Sequence, residues 1–190
     1  LNISGLSRRL AREHVPGLHF SDVGIGWNRV QLDNFRYESQ GSVLTKVEAR
    51  SVEARPHFFS VLKDEIHIEK LDIEAPDFRL VRKKEASESP PTRRQPQAAM
   101  TRAVVEETRL RGGKGEIEDQ TVSGPPARIQ LESLDVTLGN LRYPAQAGQT
   151  FIEASSIVKG NTDGHIAVSG WLDPVNRSAD LFLSISSLDL

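Results

Sequence analysis

The sequence has no cysteine at all. That removes disulfides, thiolate zinc sites and cysteine nucleophiles at one stroke. Aromatic residues are scarce at 6% and methionine occurs once. Trp27 and Trp171, with Tyr37 and Tyr143, stand too far apart in sequence for a base-stacking platform; packing is the expected role of both tryptophans. No apolar run reaches the length that spans a bilayer. No excess of charge exists either: the net value is −2, so no global field draws nucleic acid or an anionic surface. Hydrophobic residues make up only 37% of the 190, which promises no thick globular core. The chain starts at Leu1 and shows no signal peptide, which leaves room for an upstream segment removed in processing.

Recognisable catalytic patterns are equally short. Gly24-Ile25-Gly26 lacks the third glycine and the helix of a dinucleotide site. Arg111-Gly112-Gly113-Lys114-Gly115 has no Ser or Thr after the lysine, so it reads as a basic turn and not a phosphate loop. His14, His19, His57, His67 and His165 are scattered, and no pair has metal-ligand spacing. Glu116, Glu118 and Asp119 surround Ile117, and solvation on the wet side of a strand explains Glu116 and Glu118. No serine has a histidine partner at a known spacing. Asn2-Ile3-Ser4 and Asn176-Arg177-Ser178 are glycosylation triplets only in a eukaryotic secretory setting. No catalytic residue, cofactor or metal is expected.

What is present is periodicity. Ile3, Leu6 and Leu10 share one stripe of a 3.6-residue period, and Val15-Pro16-Gly17 ends it. A short helix over 3–14 is expected. It either packs on the end of a sheet or, through Arg8, Arg9 and Arg12, lies at a membrane surface.

From Leu18 onward the period is two, with one repeated irregularity. The stretch RIQLESLDVTL, 128–138, carries Ile129 and Leu131 in one phase and Leu134 and Val136 in the other. The same pattern (apolar, x, apolar, x, x, apolar, x, apolar) holds for Val30, Leu32, Phe35 and Tyr37, and for Val47, Ala49, Val52 and Ala54. It returns in Ile66, Ile68, Leu71 and Ile73, and in Leu183, Ile185, Leu188 and Leu190. One added residue flips every later side chain to the other face. A β-bulge absorbs the addition and keeps both halves on one side while bending the strand. A strand turning a corner between two packed sheets, or a two-residue turn, are the alternatives. The added positions, such as Arg50-Ser51 and Glu132-Ser133, are poor turn formers, which favours bulged, continuous strands. The intervening residues are charged or polar, so the sheet is apolar on one face only, as antiparallel sheets permit.

Between the repeats, KKEASESPPTRRQPQA at 83–98 excludes a central strand and reads as a polar loop or linker. Its Lys83, Lys84, Arg93 and Arg94 offer a second possible contact with anionic headgroups. Residues 99–110 fit a short helix or a strand equally well, with short strands after Gly112-Gly113. The expected division is a helix over 1–17, a first β segment over 18–82, the linker, and a second β segment over 99–190 continuous with the first.

The stretch VEARSVEARPHFFSVLKDEIHIEKLDIEAPDFRLVRKK, 47–84, resembles the AsmA-like family of bacterial envelope proteins, through Ser60-Val61-Leu62, Ile66, Ile68 and Pro76-Asp77-Phe78-Arg79-Leu80. VGIGWNRVQLDNFRYES is similar to that family's opening hairpin. The second half resembles the AsmA-related domain of unknown function, through Gly115, Ile117, Asp119, Pro125, Pro126, Gly164, Gly170 and Pro174. The resemblance implies an N-terminal periplasmic portion of an inner-membrane-anchored protein of the repeating β-groove lipid-transfer type. The polar Pro-rich insert departs from the family's pattern.

The combined expectation is a mostly β protein: a curved antiparallel sheet forming an open groove or half-barrel, with a short N-terminal α-helix. The expected function is non-enzymatic handling of phospholipid or another amphipathic lipid between inner and outer membranes. The candidate lining is Val47, Ala49, Val52, Ala54, Ile66, Ile68, Leu71, Ile73, Ile129, Leu131, Leu134 and Val136. Competing readings are a protein-interaction platform for outer-membrane assembly with an internally filled apolar face, using envelope partners, and a hydrolytic β protein.

Overall fold

The computed structural model describes residues 17–39, 43–57, 65–83, 102–122, 124–146 and 148–187. The helix expected over 3–14 and most of the Pro-rich segment lie outside these residues, as do Leu188 and Leu190. The described chain is mostly β, in strands β1 (Leu18–His19), β2 (Asp22–Ile25), β3 (Val30–Ser39), β4 (Val43–Pro56), β5 (Glu65–Glu74) and β6 (Asp77–Arg82). They are followed by β7 (Arg102–Asp119), β8 (Ala127–Tyr143), β9 (Thr150–Lys159), β10 (Gly164–Asp173) and β11 (Ser178–Ser186). All belong to one sheet ordered β1-β3-β4-β5-β7-β8-β9-β10-β11, with β2 beside β3 and β6 between β4 and β7.

The sheet is not purely antiparallel, contrary to expectation. β5 and β6 both run parallel to β7. The two lie end to end against β4 and keep one register with it, Ser51 opposite Glu74 and Glu48 opposite Asp77. Ala75, at a φ of 47°, and the fully buried Pro76 join them. A parallel neighbour needs a crossover of a dozen or more residues. The segment 83–101 between Arg82 and Arg102 supplies that length, so the polar, proline-rich stretch is the price in chain length of the parallel seam.

β7 decides one open choice and corrects one expectation. Residues 102–110 take the strand alternative, and Arg111-Gly112-Gly113-Lys114-Gly115 lies mid-strand instead of forming a turn. Its glycines have local reasons. Gly112 takes a φ of 61° with nothing near a notional side chain, so only its backbone demands glycine. At Gly115 the ring of Phe78 occupies the place of a Cβ.

The repeated phase shift marks creases that cross several strands. On the first crease lie Asn34 in β3, Arg50 in β4, Ala75, Gly112 in β7 and Ser133 in β8. Asn34, Ala75, Gly112 and Ser133 all have φ between 47° and 61°. Asn34 stands opposite Arg50, so both strands make their extra step at one level. Their register is therefore the same on both sides: Leu32 faces Val52 and Phe35 faces Ala49. β9 makes no such step. There Glu132 faces Ile157 but Asp135 faces Ser155, a β-bulge in which Ser133 and Leu134 oppose Ser156 alone. The Ser156 hydroxyl donates to the Glu132 carbonyl at 2.9 Å and satisfies the disrupted ladder. A second crease passes Glu69, Glu106 and Asn140, the last at a φ of 60°.

No second layer covers this sheet among the described residues. Ala49, Val81 and Leu134 are the buried aliphatic side chains there. Trp27, expected to pack, is 84% exposed at the tip of the β2–β3 hairpin.

Candidate functional site: an open apolar face

Residues directly opposite on neighbouring strands share a face. The pairing therefore assembles the sequence repeats into rows. One runs Val23, Leu32, Val52, Ile73, Leu110, Val136, Ala154, Val168, Leu183, each the partner of the next. It crosses eight interstrand gaps, on the order of 38 Å. A parallel row runs Ile25, Val30, Ala54, Leu71, Thr108, Leu138, Ile152, Gly170, Leu181. A third joins Leu18, Tyr37, Val47, Phe78, Gly115, Leu131, Val158 and Gly164.

The twelve candidate lining residues fall on this face. Val47, Val52 and Ala54 sit in the three rows, joined by Leu71, Ile73, Leu131 and Val136; Ala49 faces Phe35, and Leu134 faces Gly113. Ile129 pairs with Ile117, and Ile66 and Ile68 lie beyond the second crease beside Ala103 and Val105. Val23, Leu110, Ala154 and Val168 complete the first row and carry no repeat that singles them out. Only the neighbouring strands reveal their membership; in the sequence, Leu110 is an ordinary leucine in an undecided segment.

Most of this face is half-buried, and Ile66, Ile129, Leu183 and Ile185 are each about half exposed, Ile129 at 47%. A hollow of about 300 Å³ opens on it between β7, β8, β9 and β10, with Ile117, Ile129, Leu131, Val158, Ile166 and Val168 among its walls. The bulge of β8 against β9 lies at its edge.

The opposite face is charged. Ion pairs line it from the β2–β3 hairpin to β9: Arg29 with Glu53 at 3.0 Å and Lys159 with Glu132 at 3.8 Å join different segments, while Lys70 with Asp72 at 3.0 Å and Arg109 with Glu107 at 2.6 Å pair along β5 and β7. Glu118, expected to be solvated, is only 4% exposed. Gln120 donates to its Oε1 at 2.7 Å, while Arg79 and Arg128 approach Oε2 at 3.4 and 3.5 Å. The Gln120 amide and then the two cations hold its carboxyl below the usual glutamate range, against the opposing effect of burial. Asp119, one residue on and so on the apolar side, is lowered chiefly by the Thr121 hydroxyl and backbone N–H. Asp173 is lowered chiefly by the Asn176 backbone N–H and side-chain amide. These acids are engaged as acceptors and ion-pair partners. His67 contacts Glu106 at 2.7 Å and stacks tilted on His57, and among the described residues no three such side chains converge as metal ligands.

From β9 onward the polar face changes. Phe151 and Phe182 stand on it well exposed, Phe182 at 70%, with Trp171 the partner of Phe151. β11 is exposed along its whole length, and no strand is described on its far side.

No protein-family model matches the chain, and no curated protein matches it.

Proposed function

We propose that this chain is a non-enzymatic lipid-handling protein of the bacterial cell envelope. Its apolar face forms a β-groove that binds or guides phospholipid between inner and outer membranes. The observation that carries the proposal is the apolar row from Val23 to Leu183, continuous over nine strands and no more than half-buried along its length. A soluble sheet with one greasy face must cover it. An acyl chain suits rows that are almost wholly aliphatic, and each buried methylene contributes about 0.8 kcal/mol. The ion-paired outer face stays in water. The resemblance to AsmA-like proteins agrees with this reading and supplies its setting: a periplasmic body attached to the inner membrane in the full-length protein.

Native mass spectrometry of protein purified from cells tests the proposal. Co-purifying phospholipid is expected, with release on mild activation. Protein that carries none, and that fails to quench or enhance a fluorescent phospholipid, defeats it. A second reading has its own support. The open edge and exposed aromatic residues of β11 suit strand addition by an envelope protein partner. That reading expects an intact apolar face with no lipid and a partner whose binding is lost on substituting Phe182.

A further inference from the structure

Among the described strands, and away from the creases, charge on the apolar face is confined to one place. Away from the creases, the paired residues of the described strands on this side are apolar, glycine, serine or threonine, with two exceptions. Those are Arg82 and Asp119, direct partners across β6 and β7, with Arg82 Nη1 3.7 Å from Asp119 Oδ2. Register puts them one pleat, roughly 7 Å, beyond Leu80, Ile117 and Ile129, at the edge of the 300 Å³ apolar hollow. Arg82 is 68% exposed, and its separation from Asp119 is too long for a hydrogen bond. Asp119 Oδ1 is fixed by the backbone N–H and hydroxyl of Thr121, at 2.8 and 2.6 Å, which leaves Oδ2 turned to the cation.

A loose, exposed ion pair contributes little to stability. Two opposite charges side by side at the end of a greasy surface have another use: they match an amphiphile whose headgroup carries both signs. We infer that Arg82 and Asp119 form the headgroup subsite of the proposed lipid-binding face, selective for a zwitterionic glycerophospholipid. The Arg82 guanidinium takes the phosphate, whose oxygens suit its planar fork. Asp119 Oδ2 takes the ammonium. The acyl chains run inward over Ile117, Ile129 and Leu131. An anionic lipid without an ammonium leaves Asp119 facing the phosphate as a like charge, which is the source of discrimination. The inference rests on the lipid-handling reading above and adds the headgroup class and its position.

The test is equilibrium binding of four short-chain diacyl probes to the whole chain: phosphatidylethanolamine, phosphatidylglycerol, phosphatidic acid and diacylglycerol. The unaltered protein is expected to bind the ethanolamine lipid about fivefold to tenfold more tightly than the others. Asp119→Asn is expected to bring the two anionic lipids level with it or ahead. Arg82→Gln is expected to bring it within about twofold of diacylglycerol, whose own affinity is unchanged. Because a substitution can act through folding, an ethanolamine lipid with a photoreactive headgroup provides a second readout on unaltered protein. It is expected to label 77–83 and 116–122, whereas a tail-labelled probe marks β8. Equal binding of all four probes, a ranking untouched by both substitutions, or headgroup labelling elsewhere overturns the subsite and leaves the lipid reading standing. Failure of every probe to bind overturns both.

Discussion

The strands from β2 to β8 and those from β9 to β11 make one sheet by two different rules. In the first region, β3 and β4 take their extra residue at a common level, so Leu32–Val52 and Phe35–Ala49 belong to one uninterrupted ladder; the register slips locally between Leu110 and Gly115 against β8, and at Arg55–Pro56 of β4, where Glu69 of β5 has no partner. In the second region β9 and β10 alternate strictly, with Val158 facing Gly164 and Ile152 facing Gly170 in one register throughout. The two regions meet at β8–β9, where the mismatch appears as the Ser133–Leu134 bulge. The polar faces differ too. Cross-strand ion pairs such as Arg36–Glu48, Lys70–Glu107 and Arg79–Glu116 lace the first region, whereas Phe151, Trp171 and Phe182 stand on the second and, among the described residues, β10 and β11 carry no ion pair. The contrast teaches that an inserted residue is not by itself a defect. It becomes a bulge only where the neighbour lacks it.

The sharpest test of the contrast is Gly170→Ala. Gly170 has a φ of 142°, and a Cβ there would collide with the Asp180 carbonyl oxygen. Strain of this kind costs on the order of 3 kcal/mol. The damage should stay local: hydrogen exchange should accelerate across 178–186 while β3–β8 keep their protection. Leu134→Ala is next, at about 2–3 kcal/mol because the side chain is buried beside the crease. Leu183→Ala, half exposed at the edge, should cost under about 1 kcal/mol; similar losses in urea melts would erase the distinction between crease and edge. Ser156→Ala removes the hydroxyl that satisfies Glu132 and should cost about 1 kcal/mol. Gly112→Ala should cost a similar amount, roughly 1 kcal/mol, through backbone conformation alone, since nothing lies near the added methyl.

The mildest effect is on acid stability. Glu118, Asp119 and Asp173 all have folded pKa values below their ordinary ones. Their contribution is complete above the unfolded carboxylate range and disappears as pH falls through the lowered folded values. Asp173→Asn should therefore flatten the acid limb of a melting-temperature profile and leave neutral-to-alkaline slopes unchanged. A slope unchanged on the acid side would show that the turn amides of Val175 and Asn176 do not depend on the carboxylate.

Much of the strand content was legible in the sequence. Alternation marked β3, β4, β5 and β8, and the phase shift located the creases at Asn34, Arg50 and Ser133. The long β7 was not legible. Its Arg-Gly-Gly-Lys-Gly run has turn chemistry, and it is strand because β6 and β8 flank it with complementary ladders. Glu118 looked solvated because alternation specifies a face but not what Gln120, Arg79 and Arg128 lay over it.

By itself the sequence determined that the sheet has one apolar side, because side-chain direction along a strand follows from local backbone geometry. Only the tertiary structure decided which strands are neighbours, that β5 and β6 run parallel to β7, and that Arg82 meets Asp119 at the end of that side. Those are pairings between distant segments, set by ladder register and crossover length, and no single strand carries the information.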